Sequence, residues 1–173
     1  HTEVLGTVES CVAATAGSSV TFDVTIQNIQ PSNPMIAFGF SLLYDSTNIS
    51  VTAADAGFMI KANALSSPLV VGDETLLPDA DGSFNASVAD TAAAAGARES
   101  GSGVLERLTV AIAGGAPSGL YNLTLDGTGS AIGDPNNDFW PPDAVFNGKI
   151  AVGVACPLPE ADLGVQSVNA INS

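Results

Sequence analysis

Few residues in this chain are equipped for chemistry. His1 is the one histidine among 173 residues. A copper brace needs the amine and ring of a first histidine plus a second imidazole. A Ser-His-Asp or Cys-His hydrolase needs its histidine beside a nucleophile. A lone histidine at the chain start serves neither, and reads as a frayed end left by cleavage. Because the chain opens on His1 and not Met, it reads as a processed or excised piece from which any secretion signal has gone.

Paired carboxylates are the other enzymatic option. Asp73 with Glu74 and Glu99 with Glu106 are available, as glycoside hydrolysis would require. Nothing in their flanks predicts a buried acid of raised pKa, so they read as solvated strand and loop positions, and the chain as no enzyme. In "GDPNNDFWPPD", Asp134, Asn136 and Asp138 fall at alternate positions, like the first oxygen ligands of a calcium loop. The sixth position holds Phe139 where such loops need Gly, and no Glu occupies the twelfth. The stretch is an incomplete calcium loop and otherwise an Asx- and proline-shaped turn, so no cofactor is expected.

Recognition residues are better represented. Phe139 and Trp140, the latter the single tryptophan, stand together beside two prolines. Exposed, the pair would offer a platform for a sugar ring or an anchor for a protein; buried, it would cap the end of a domain. Three N-glycosylation sequons begin at Asn48, Asn85 and Asn122. Asn122 has the outward parity of its strand and Asn48 follows a turn, so both suit modification.

The elements that must position these residues are strands. In "SSVTFDVTIQNI" Val20, Phe22, Val24 and Ile26 share one face, and Thr21, Asp23 and Thr25 the other. Phe38, Phe40 and Leu42 alternate in "AFGFSLLYD", as do Tyr121, Leu123 and Leu125 in "GLYNLTLDG". Period-two alternation predicts strands buried on one side, as in a sandwich. "EVLGTVES", "NISVTAA", "SPLVVG", "SFNASVA", "VLERLTVAIAG" and "GKIAVGVA" bring the count to about nine. "DTAAAAGARES" reads as one short helix capped by Asp90. Lys61 to Ser67 and Gly127 to Asp143 are unassigned connections.

Charge narrows the partners. Eighteen acidic residues face four basic ones, a net charge of −14, which disfavours nucleic acid and anionic membranes. No apolar run approaches the ~20 residues of a membrane span. Two distant cysteines suit a disulfide and not a CxxC or zinc site, which places the chain in an oxidising, extracellular or cell-surface setting. Cys11 closes the first candidate strand and Cys156 the last. If those strands lie parallel and adjacent, a Cys11–Cys156 bond joins their ends and constrains the unfolded chain by about 5 kcal/mol at most.

The succession "AGSSVTFDVTIQNI", "IAFGFSLLYDSTNISVTAADAG", "GSGVLERLTVAIAGGAPSGLYNLTL" and "NGKIAVGV" resembles the cohesin family of bacterial and archaeal surface proteins, over roughly residues 2 to 156. The resemblance implies a nine-stranded jelly-roll β-sandwich with parallel first and last strands. It also implies a module that binds dockerins or serves as an adhesive or structural unit, in a fold that carbohydrate-binding modules share. No proline follows Tyr44-Asp45 as the family pattern would have it.

A tail follows. Residues 1–156 read as the sandwich, and residues 157–173 as a proline-containing linker and an extended strand. Pro157 and Pro159 stiffen the linker. Leu163, Val165, Val168 and Ile171 then form an apolar set interrupted by one parity slip. The tail would pack on its own domain, open a further module, or be donated to a neighbouring subunit, generating a filament. The reading taken is a non-catalytic extracellular structural or adhesive module, self-associating through strand donation or joining another surface protein. The alternative is a carbohydrate-binding module, with polysaccharide as partner, or a dockerin-binding scaffold module.

Overall fold

The computed structural model describes residues 5, 7–61, 64–92, 96 and 98–157. Among them ten strands follow one another: β1 (Cys11–Ala14), β2 (Ser19–Ile29), β3 (Ala37–Leu43), β4 (Ile49–Asp55), β5 (Pro68–Gly72), β6 (Ser83–Asp90), β7 (Gly101–Ile112), β8 (Gly119–Gly133), β9 (Phe139–Trp140) and β10 (Gly148–Val152). A 3-10 turn, Asp73–Thr75, follows β5. The strands make an all-β sandwich. Its larger sheet runs β1-β10-β8-β3-β6-β5 with β9 added to β8, and its smaller sheet runs β2-β7-β4.

Alternation explains which side of each strand is buried. Phe38, Phe40, Leu42, Phe84 and Val88 of the larger sheet, all at most 4% exposed, meet Val24, Ile49, Val51, Leu108, Val110 and Ile112 of the smaller one. Phe40 and Phe84 pack with ring centroids 6.3 Å apart. Losing a ring of this kind from a sandwich core costs about 3–5 kcal/mol.

The first and last strands meet differently from the sequence expectation. "EVLGTVES" contributes no strand among its described residues; β1 starts only at Cys11. Its four residues pair in parallel with β10, Cys11 opposite Lys149 and Ala14 opposite Val152. Cys11 therefore opens its strand, and Cys156 lies beyond the end of β10. Gly153 reconciles the two: its N–H donates to Ala14 O, and its φ of 64° turns the chain. A Cβ there would stand 2.6 Å from Ser118 Oγ, so the turn requires glycine. Residues 154–156 then bring Cys156 to Cys11, Cα to Cα 5.8 Å, where their sulfurs are bonded.

Two further differences bear on the site. The stretch from Gly127 to Asp143 is not all connection: β8 continues to Gly133 and β9 pairs back on it. That pairing supplies the tenth strand, only two residues long. Asp90 ends β6, where its Oδ1 accepts the N–H groups of Ser67 and Ala92 at 2.8 and 3.0 Å. Most of the alanine run expected to be helical, and the whole set Leu163, Val165, Val168 and Ile171, lie outside the described residues.

Candidate interaction face

Register across the larger sheet assembles its outer face row by row. Leu69, Ala89, Ala37, Gly133 and Phe139 align across β5, β6, β3, β8 and β9. The next row is Val71, Ser87, Gly39 and Ala131. Small residues in the middle strands leave this floor without projecting side chains, and large apolar side chains rim it. Leu69 is 53%, Val71 45% and Phe139 66% exposed. With Leu43 and Leu120 further along, this one face holds five of the ten exposed large apolar side chains among the described residues. Exposed apolar side chains gathered on one face make it the candidate contact surface of the molecule.

Phe139 owes its position to a glycine. A Cβ on Gly133 would lie 2.7 Å from Phe139 Cε1 and 3.0 Å from the Ala37 Cβ, so the ring lies across a residue that must have no side chain. Trp140, one residue on, faces the other way and packs partly buried against the core. The expected Phe139–Trp140 platform is thus divided, because neighbouring residues of a strand point to opposite sides of the sheet.

A bulge separates the apolar floor from a polar half. Gly39 pairs with Ala131 but Ser41 with Asp126, so three extra residues of β8 rise between them. The excess folds over Ser41, whose Cβ would be 2.9 Å from a Cβ at Gly129. Thr128 donates to Asp126 Oδ1 from its N–H at 2.9 Å and its hydroxyl at 2.8 Å. These bonds hold the Asp126 carboxyl below its ordinary pKa, the hydroxyl contributing most. Beyond the bulge stand Asn85, Thr124, Asn122 and Lys149.

The sequons divide by surroundings. Asn122 and Asn85 are exposed on this outer face, and Asn48 is half-buried in the turn before β4. Asn85 Nδ2 donates to Asp73 Oδ2 at 3.1 Å and to Ser83 O at 3.2 Å, and Asn48 Nδ2 to Asp45 Oδ2 at 2.8 Å. Asp134 is buried, and its Oδ1 accepts the N–H groups of Asn136 at 2.8 Å and Asp138 at 3.0 Å. Asn136 Nδ2 donates to its Oδ2 at 3.2 Å. Asp134 thus shapes its own loop. Among the described residues no group of three or more His, Cys, Asp or Glu is placed to hold a metal ion.

The carboxylates read as solvated require correction. Glu99 and Glu106 are fully buried. Glu106 lies on the inner face of β7 with Leu108, Val110 and Ile112, opposite Val24. Burial above all, then the Glu74 carboxylate, pushes its pKa up to about 8. One signal could have found it: Glu106 shares the parity of the apolar set in "VLERLTVAI".

The fold is an all-β sandwich whose larger sheet carries an apolar-rimmed outer face. A family model described as the cohesin domain matches residues 6–152, and the chain belongs to the cohesin family. It is non-catalytic. The chain is similar to the cohesin CaCohA2 of Clostridium acetobutylicum, solved in complex with a variant of CaDoc0917: 26% identity, 83% of this chain and 95% of that one covered, TM-score 0.66. It shares its fold with the OlpA cohesin of the Coh-OlpA-Doc918 complex from Clostridium thermocellum, at 19% identity, coverage of 82% and 93%, and TM-score 0.63. A non-cellulosomal cohesin from the archaeon Archaeoglobus fulgidus has 19% identity, coverage of 83% and 86%, and TM-score 0.58. No curated protein sequence matches the chain. Among the described residues no helix is long and apolar enough to cross a membrane.

Proposed function

We propose that this chain is an extracellular or cell-surface scaffold module that captures a dockerin-bearing protein on the outer face of its larger sheet. The observation that carries the reading is the floor of small residues around Gly39, Ala131 and Gly133, rimmed by Leu69, Val71 and Phe139. Family membership and the solved CaCohA2 and OlpA complexes support it. The partner would present an apolar surface bordered by basic groups, complementing Asp126 and the net charge of −14.

Calorimetry against a panel of purified dockerins tests it. A matching dockerin should bind, and Phe139→Ala or Val71→Asp should weaken it by at least about tenfold with the fold intact, as for a central contact residue. Equal affinity in both variants would remove the face from the proposal. Polysaccharide binding abolished by Phe139→Ala would instead favour a carbohydrate-binding module. If the source glycosylates asparagine, a glycan belongs on Asn122, and an intact mass equal to the bare chain counts against it.

Self-association is the second reading. The observation favouring it is that, among the described residues, β5 and β2 each pair along one side only, leaving edges that a donated strand with Leu163, Val165, Val168 and Ile171 could join, whereas the outer edge of β4 is bridged at Val51 by Asp79. The parallel closure of β1 on β10 supports the jelly-roll path, with β9 as an addition. Assembly that survives deletion of residues 160–173 would end the donation reading.

A further inference from the structure

The 3-10 turn Asp73–Thr75 joins β5 to the rest of the sandwich by reaching in two directions. Outward, Asp73 Oδ2 accepts the N–H of Asn85 at 2.7 Å and its Nδ2 at 3.1 Å. Inward, Glu74 Oε1 accepts from Lys61 Nζ at 3.2 Å. Glu74 Oε2 and both carboxyl oxygens of Glu106 are buried and accept no hydrogen bond among the described residues. Lys61, its side chain 28% exposed, answers Glu74 and reaches Glu106 only through its field, so with both glutamates ionised one negative charge and three acceptor oxygens stay unanswered. A single proton on Glu106 cancels the excess charge and supplies a donor.

We propose that Glu106 is the proton-binding element of a latch: protonated, it lets the Lys61–Glu74 pair seat beside it and holds the turn and β5 against β6; ionised, it expels the turn and loosens β5. The consequence for binding rests on the docking reading above, because β5 carries Leu69 and Val71 of the apolar rim. The charged groups around Glu106 are Glu74 from the turn, Lys61 from the connection before β5, and Asp55 from the end of β4. Arg107, next along β7, is turned away and donates to both Asp23 oxygens. Burial, Glu74 and Asp55 oppose the anion and Lys61 favours it, placing the transition at about 8. The latch is closed in acid and neutral conditions and opens in mild alkali.

A carbon-detected NMR titration of the full chain from acid to alkaline pH, without partner, tests the latch. The Glu106 carboxyl should titrate with a midpoint near 8, and the amides of residues 69–76 should shift with it. Glu106→Gln should abolish both transitions. Glu74→Gln should lower the midpoint by removing a negative neighbour, and this variant with the wild type decides the matter if Glu106→Gln fails to fold. A Glu106 carboxyl titrating near the ordinary ~4.3, or amides that stay fixed through its transition, would overturn the latch. A latch that titrates in a chain binding no dockerin at any pH would support the latch and sink the docking reading.

Discussion

Glu106 and Asp126 are both strand carboxylates in one sandwich, and their surroundings drive them to opposite chemistry. Asp126 stands on an outer bulge, where the hydroxyl and N–H of Thr128 stabilise its anion and lower its pKa. Glu106 points between the sheets, where burial and Glu74 disfavour its anion and raise its pKa to about 8. Neither residue type nor strand propensity separates them. Parity and partners do: an outward carboxyl with donors is a fixed charge, and an inward one without donors is a titrating group.

The largest effect that can break this comparison is the pH dependence of stability. Glu106 titrates at about 4.5 unfolded and about 8 folded. The folded state therefore holds the proton more tightly, its advantage is complete below 4.5, and it is lost as pH rises towards 8. Linkage puts the loss at about 4–5 kcal/mol as an upper figure. Urea unfolding at pH 5, 7 and 9 should show the wild type losing stability relative to Glu106→Gln over that window. Parallel curves for the two proteins would end the claim that Glu106 is an interior acid.

The next effect contrasts the two edges of the larger sheet. β5 is held at one edge by the polar turn, while β1 at the other is held by the Cys11–Cys156 bond. Cys11→Ser with Cys156→Ser should cost about 2–5 kcal/mol in urea unfolding, nearly independent of pH. Mapping without reduction should recover the two cysteine peptides linked in the wild type. Smaller again is Lys61→Met. Lys61 and Glu74 retain 28% and 10% side-chain exposure, so partial screening limits the cost to about 1–2 kcal/mol at neutral pH. Its sharper readout is a Glu106 midpoint moved upward, because Lys61 is the neighbour that favours the anion.

How much of this was legible follows from the range of each signal. Alternation is local, so the buried sets of β2, β3 and β8 stand in "SSVTFDVTIQNI", "AFGFSLLYD" and "GLYNLTLDG" directly. The same rule divides Phe139 from Trp140 and marks Glu106 as inward, although residue type argues otherwise in both cases. The bulge of β8 was hidden because Gly127, Thr128, Gly129 and Ser130 read as connection, while three residues in excess of the ladder break the alternation. The floor of the outer face was hidden for a different reason. Ala131, Gly39, Ser87 and Val71 become neighbours only through the register of four strands, and no spacing along the chain encodes it. The true start of β1 depends likewise on β10, distant in the chain, being present to pair with it.

The smallest expected effect tests the outer half of the comparison. In Asp126→Asn the amide oxygen can still accept from the Thr128 N–H and hydroxyl, so the bulge keeps its shape while the charge is removed. The group is solvent-facing, so the unfolding midpoint at neutral pH should stay close to wild type. The acid limb is where the variants part. A lowered folded pKa means that Asp126 contributes stability above its ordinary value of 3.8, lost as pH falls through the folded value. The wild type should therefore lose slightly more stability than Asp126→Asn below pH 3.8, the reverse of the Glu106 result in both sign and window. If basic groups of the partner border this face, Asp126→Asn should also slow association and flatten its salt dependence, with dissociation little changed. An association rate indifferent to both charge and salt would leave the bulge as a structural feature of β8 and remove it from the docking face.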